Sequence, residues 1–241
     1  MPPKTTQTLY VFVMEKAFWF NSWELEGHYT SFHRKDIHPY ILKHLPPFEL
    51  EGKSVFVPLC GKTLDMLYFS HFAQRVVGVE FVEKAVIQFF EENKLTYTQR
   101  GRRFESGNIT ILCCDFFTLT PEDIGSIDIV YDRASLVALP YPMRMRYLQT
   151  LERLTPVGAL TFLNTLEYAP TMPTPPFSIT PDEVSNYFPN YVIDHIESPS
   201  LPNHGMVRKF NLEFLIEHGF IMRKLYDSPM HVDAEELVQA F

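Results

Sequence analysis

The residues of this chain that could do chemistry lie at intervals rather than in one motif. Pro58-Leu59-Cys60-Gly61-Lys62-Thr63 follows a short apolar run and precedes a helical pattern. A glycine in such a turn lets the chain bend tightly and lets backbone N–H groups approach a ligand. Glu80 lies 19 residues beyond Gly61, at the end of Val77-Gly78-Val79. In nucleotide-binding α/β folds an acid at this place accepts hydrogen bonds from both ribose hydroxyls. A carboxylate suits the task because it has acceptor oxygens and no donor. Asp115, in Cys114-Asp115-Phe116-Phe117, could bond an adenine amino group, with Phe116 offering an apolar face; it could equally cap the turn that follows. Asp132-Arg133, in Tyr131-Asp132-Arg133-Ala134, could form a structural ion pair. Alternatively, Arg133 could hold a ligand carboxylate or an anionic substrate through its planar guanidinium, with Asp132 orienting it.

Other chemistries fit less well. A dinucleotide site needs three glycines around a pyrophosphate, and only Gly61 is present, so a ligand with a ribose and no phosphate fits better. S-adenosylmethionine is such a ligand. Cys60, Cys113 and Cys114 do not make a disulfide framework and read as small buried residues. His28, His33, His38 and His44 do not share one helical face, and Pro39 interrupts any helix there, so no metal site is expected.

The elements that must position these residues follow from periodicity. Residues 55–57, 76–79, 109–113, 127–130 and 159–163 read as strands; 63–72, 82–93 and 143–154 carry apolar residues at helical spacing. Strands alternating with helices argue for a parallel sheet covered on both faces. Ligands then bind just after residues 57, 79, 114, 130 and 163, at the carboxyl ends of the strands. The proline clusters at 170–181 and 199–202 read as loops, and 234–241 as a short helix packed on the body. With 241 residues, 46% of them apolar, one domain is expected. A net charge of −8 argues against a nucleic-acid partner. No run of apolar residues is long enough to span a membrane. The apolar run 9–20 is broken by Glu15 and Lys16 and lacks a signal-peptide cleavage site, so a cytoplasmic location is expected.

Taken in order, these segments resemble the thiopurine S-methyltransferase family. Val57-Pro58-Leu59-Cys60-Gly61-Lys62 with Leu64-Asp65 is similar to the family's first ligand loop, and the segments ending in Glu80 and Phe117 to its second and third. Tyr131-Asp132-Arg133-Ala134 with Leu136, Leu139-Pro140 and Met143-Arg144 resembles the fourth. Trp19, Trp23, Phe32-His33 and His38-Pro39 resemble the N-terminal cap; Thr165-Leu166-Glu167-Tyr168 and Pro175-Pro176-Phe177 resemble the segment after the fifth strand.

The resemblance implies an α/β, Rossmann-like class I methyltransferase fold, with a mostly parallel seven-stranded sheet and helices on both faces. It implies one domain over 1–241, with a cap around 13–48 above the cofactor. The implied cofactor is S-adenosyl-L-methionine, with contacts at Trp19, Leu59, Glu80, Asp115, Phe116 and Arg133; the turn adds Gly61. Phe32 would pack on the acceptor, and Arg133 would also attract it, which makes Arg133 the candidate catalytic group. A basic acceptor contact falls between 199 and 208, with Arg208 as the candidate. Expected acceptors are small soft nucleophiles: a thiol, a thiopurine or a chalcogen oxyanion such as tellurite or selenite. The alternatives are a halide or thiocyanate methyltransferase, or a non-catalytic protein that binds S-adenosylmethionine. The expected partner is a small-molecule acceptor, with no nucleic acid and no membrane. The sequence does not set the oligomeric state, and a monomer is compatible with it.

Overall fold

The computed structural model describes residues 17–25, 27–30 and 33–228. Phe32, residues 13–16 of the expected cap and the expected helix at 234–241 lie outside the described residues. The strands are β1 (Ser54–Val57), β2 (Arg75–Glu80), β3 (Thr98–Arg100), β4 (Arg103–Ser106), β5 (Ile109–Cys113), β6 (Ile129–Arg133), β7 (Leu160–Ala169), β8 (Tyr191–Glu197) and β9 (Phe214–Lys224). They form one sheet in the order β3-β4-β5-β2-β1-β6-β7-β9-β8.

The central strands are short and apolar on both faces. Val55, Phe56 and Val57 of β1 and Val76 to Val79 of β2 are all buried, as a parallel sheet covered on both sides requires. β5, β2, β1, β6 and β7 run parallel to one another. β9 pairs antiparallel with β7, and β8 with β9. These are the seven strands of the expected Rossmann-like sheet. The hairpin β3–β4 extends the sheet beyond β5. All three β3 residues are exposed, so no apolar pattern announces the hairpin.

One face of the sheet is covered by the helices Pro39–His44, Asp65–Phe72 and Glu83–Glu92, whose Ile41, Met66 and Phe89 pack with Val55, Val57 and Tyr131. The Glu83–Glu92 helix buries Ala85, Val86, Phe89 and Phe90, a stripe set by its 3.6-residue period. The other face is covered by the helices Tyr141–Leu154 and Pro181–Tyr187, whose Tyr147, Leu151 and Val184 pack with Phe56, Val130 and Leu163. The first of these starts two residues before the expected boundary, because Pro142 fits the first helical turn. β7 runs six residues past its expected end, paired step by step with β9 from Leu160↔Arg223 to Ala169↔Phe214.

The chain leaves β1 for β2 and β5, then returns to β6 on the other side of β1. Strand order therefore reverses between β1 and β6. The loops leaving the carboxyl ends there flank a crevice, the usual place for a ligand in an open α/β sheet.

Candidate cofactor and acceptor site

The loop after β1 is held in a strained form. Leu59 has φ 45° and Gly61 φ 52°, both left-handed, a conformation that glycine adopts freely and leucine does not. The loop is pinned by the Cys60 N–H, which donates to the Val79 carbonyl at 2.8 Å. It is pinned again by the Gly61 N–H, which donates to Glu80 Oε2 at 3.0 Å. Across the crevice Ala134, after β6, has φ 68°, and Ser135 Oγ donates to the Pro58 carbonyl at 2.8 Å. Non-glycine residues in this region mark sites where the surroundings enforce the backbone. Trp23, in the helical stretch 17–25, closes over the loop: a Cβ on Gly61 would lie 3.1 Å from its ring.

Glu80 ends β2 beside this loop and is buried. Its Oε1 accepts the Val82 N–H at 2.8 Å. Burial pushes the carboxyl up to about 7, against the pull of backbone N–H groups from Val82 and Gly61. Each carboxylate oxygen has two acceptor positions, so one backbone bond apiece leaves capacity for two hydroxyl donors. That is the demand a ribose makes.

Asp115 N-caps a short turn, Phe116–Thr118, with Oδ1 accepting the Phe117 N–H at 3.0 Å. The cap reading of Asp115 thus holds, and a second role toward adenine would use its other oxygen. The Phe116 ring does not offer its face to the rim. It is 2% exposed and stacks on Tyr147 at 4.8 Å, inside the core. Phe117 is the ring left partly exposed, with Arg146 over it at 4.5 Å. Trp19 is partly buried, edge-on to Phe18.

Of the two readings left open for Asp132-Arg133, the structure does not form the ion pair. Successive residues of a strand face opposite sides of the sheet. Asp132 is fully buried on the side of the Tyr141–Leu154 helix, accepting Tyr147 Oη–H at 2.7 Å and the Leu136 N–H at 3.3 Å. Burial pushes its carboxyl up to about 6, against those hydrogen bonds. Arg133 is partly buried on the opposite side, where its charge acts on His33 and Glu217. His33 is held below its usual range by burial first, then by Lys62.

On that side lies a polar network. Asp65 is buried; its Oδ1 accepts the His38 N–H at 2.8 Å, and its Oδ2 accepts Tyr131 Oη–H at 2.8 Å and the Thr63 hydroxyl at 3.0 Å. His38 Nε2 lies 3.2 Å from Glu217 Oε1. Burial works to raise the Glu217 carboxyl, but the His38 hydrogen bond, with Arg133 and Arg34 behind it, holds it below its usual value. The network ties the segment around His38 to β6 and β9. His38-Pro39 and Leu64-Asp65 stood in the sequence motifs; Glu217 and Arg34 carried no motif. Arg208 is exposed, on the helix Gly205–Phe210, which buries none of its residues.

Sheet order and the reversal between β1 and β6 define a class I, Rossmann-like methyltransferase fold. The same fold is found in the Burkholderia thailandensis 1,6-didemethyltoxoflavin-N1-methyltransferase, solved with S-adenosylhomocysteine, at a TM-score of 0.60 and 16% identity over 91% of this chain and 90% of that one. An S-adenosylmethionine-dependent methyltransferase from Anabaena variabilis matches at a TM-score of 0.57 and 16% identity, over 86% of this chain and 94% of its own. Closer relatives fix the family. The thiopurine S-methyltransferase of Shewanella woodyi is 37% identical over 188 residues, 74% of this chain and 83% of its own. That of Pseudomonas fluorescens is 40% identical over 177 residues, 71% and 79% respectively. The thiopurine S-methyltransferase family model matches residues 14–217. The chain belongs to the thiopurine S-methyltransferase family. Among the described residues, no helix is long and apolar enough to cross a membrane.

Proposed function

This chain is an S-adenosylmethionine-dependent S-methyltransferase, and we propose that it acts on a small soft nucleophile: a thiol, a thiopurine or a chalcogen oxyanion. The observation that carries the reading is Glu80, buried beside the strained Leu59–Gly61 turn with acceptor capacity for two hydroxyls. Family membership supports the same chemistry.

S-adenosylmethionine, when bound, supplies an activated sulfonium methyl. Glu80 takes the ribose hydroxyls, and the Leu59–Gly61 backbone lies against the ligand. Asp115, while capping its turn, is the candidate for the adenine amino group. Arg133 pairs with the methionine carboxylate and draws an anionic acceptor toward the same rim. Trp19 and Trp23 would exclude water, and Phe32 is the candidate acceptor contact that the family resemblance assigns. The bound cofactor would supply its methyl to a thiolate acceptor and be left as S-adenosylhomocysteine, with the thiol proton lost to solvent beforehand. Opposite charges cancel in this step, which a dry site favours. Holding both reactants in line can contribute about 7–11 kcal/mol. An acidic thiol needs no dedicated general base. A cytoplasmic location belongs to the same proposal.

The test is transfer of labelled methyl from S-adenosylmethionine to a panel of thiopurines, aromatic thiols, tellurite, selenite and iodide. Label in a thiol or thiopurine, with an equal amount of S-adenosylhomocysteine, supports the proposal. Label in iodide alone would make the chain a halide methyltransferase. Cofactor binding without any transfer would make it a non-catalytic binder.

A further inference from the structure

Arg34 lies four residues before His38, on the segment that the Asp65 and Glu217 bonds fasten over the ends of β6 and β9. Its side chain is partly buried, and its Nε–H is fully buried with no hydrogen-bond partner. Among the described residues it makes no salt bridge, although its charge reaches both Glu217 and Tyr131. The Arg133 guanidinium acts on the same two groups from β6. Both guanidiniums therefore act on the same two groups, Glu217 of β9 and Tyr131 of β6. Glu217 does not satisfy Arg34: its carboxylate is bonded to His38 at 3.2 Å, and the Arg34 Nε–H finds no acceptor there.

A buried donor without an acceptor is costly, and native proteins rarely keep one unless something else fills it. A guanidinium presents its donors as a planar fork that matches a carboxylate in two parallel bonds. From the buried, unsatisfied Nε–H of Arg34, whose charge acts on the same groups as Arg133, we infer that the acceptor carries a carboxylate as well as its thiol, and that Arg34 binds that carboxylate. Arg34 is then the specificity-determining contact on the N-terminal side of the site. The exposed Arg208 is not needed for it. This inference rests on the thiol-methyltransferase reading given above.

The test is calorimetric titration of the S-adenosylhomocysteine-loaded protein with 2-mercaptobenzoate and, separately, with thiophenol. The wild-type protein should bind the carboxylated thiol about tenfold or more tighter, the factor expected for one charge-assisted hydrogen bond. Arg34→Gln should collapse that ratio to near one, and Arg34→Lys, which keeps the charge and loses the fork, should recover only part of it. S-adenosylhomocysteine affinity, measured on each variant, reports that the fold is intact. A ratio near one in the wild type, or a ratio unchanged by Arg34→Gln, overturns the inference. Turnover of the same two thiols is recorded in parallel. An Arg34-dependent binding preference without methyl transfer would leave the carboxylate site standing and overturn the methyltransferase reading instead.

Discussion

Asp132 and Arg133 are chain neighbours that serve opposite faces of β6: Asp132 is hydrogen-bonded to Tyr147 at 2.7 Å, and Arg133 lies toward Glu217 and His33. The two side chains should therefore fail in different ways. Tyr147→Phe strips a bond from a fully buried carboxyl and should lower stability by about 1–3 kcal/mol. Arg133→Lys should leave the melting temperature near the wild-type value and cut methyl transfer severalfold, because an ammonium cannot form the two parallel bonds. Rate per folded molecule, read beside thermal melts of both variants, checks the pair. A wild-type rate with unchanged KM values in Arg133→Lys would remove that residue from the site.

The turn after β1 should tolerate no side chain at Gly61. Alanine there would be strained at φ 52° and would press on the Trp23 ring 3.1 Å away. Gly61→Ala should cost about 1–3 kcal/mol of stability and weaken S-adenosylhomocysteine binding. Chemical denaturation and cofactor titration of this variant measure both effects. An unstrained, fully binding Gly61→Ala would mean that the loop is not held as described.

Glu80 makes a pH prediction with a definite sign. Its carboxyl is raised from 4.5 to about 7 in the folded protein, mainly by burial. A raised acid stabilises the fold through its protonated form. That contribution is complete below the unfolded value and is lost as pH rises through about 7. Glu80→Gln removes the dependence, so the variant should gain on the wild type between about pH 5 and about pH 8 in the absence of cofactor. Cofactor binding runs the other way, since ribose hydroxyls donate best to the ionised form; wild-type affinity should rise across the same window. Parallel melting curves for both proteins at all pH values would show that Glu80 is not titrating there.

Much of the frame was legible because its signals are local. Val55-Phe56-Val57 and Val76 to Val79 are apolar runs bounded by turn residues, and Gly61 and Glu80 stand at their ends. β3 was hidden because all of its residues are exposed. β8 and β9 escaped notice because burial alternates irregularly along them, with a register shift between His195 and Glu197. The Asp65–His38–Glu217 network was hidden for another reason. His38 meets Glu217 across 179 residues of sequence, and nothing in either local pattern names the other. Phe116 marks the limit of a local signal: strand-end position identifies the segment, but whether its ring turns to the rim or into the core depends on packing against Tyr147.

Calorimetric titration of wild-type protein and Glu80→Ala with S-adenosylhomocysteine is the most direct test of the cofactor site. Losing hydrogen bonds to a charged acceptor costs about 1.5–3 kcal/mol each, and about 1.4 kcal/mol is a factor of ten. The wild type should bind one equivalent, and Glu80→Ala, still folded by its far-ultraviolet spectrum, should bind at least about tenfold more weakly. Equal affinity in the two proteins, or no binding by the wild type, would contradict the placement of the cofactor at the ends of β1 and β2.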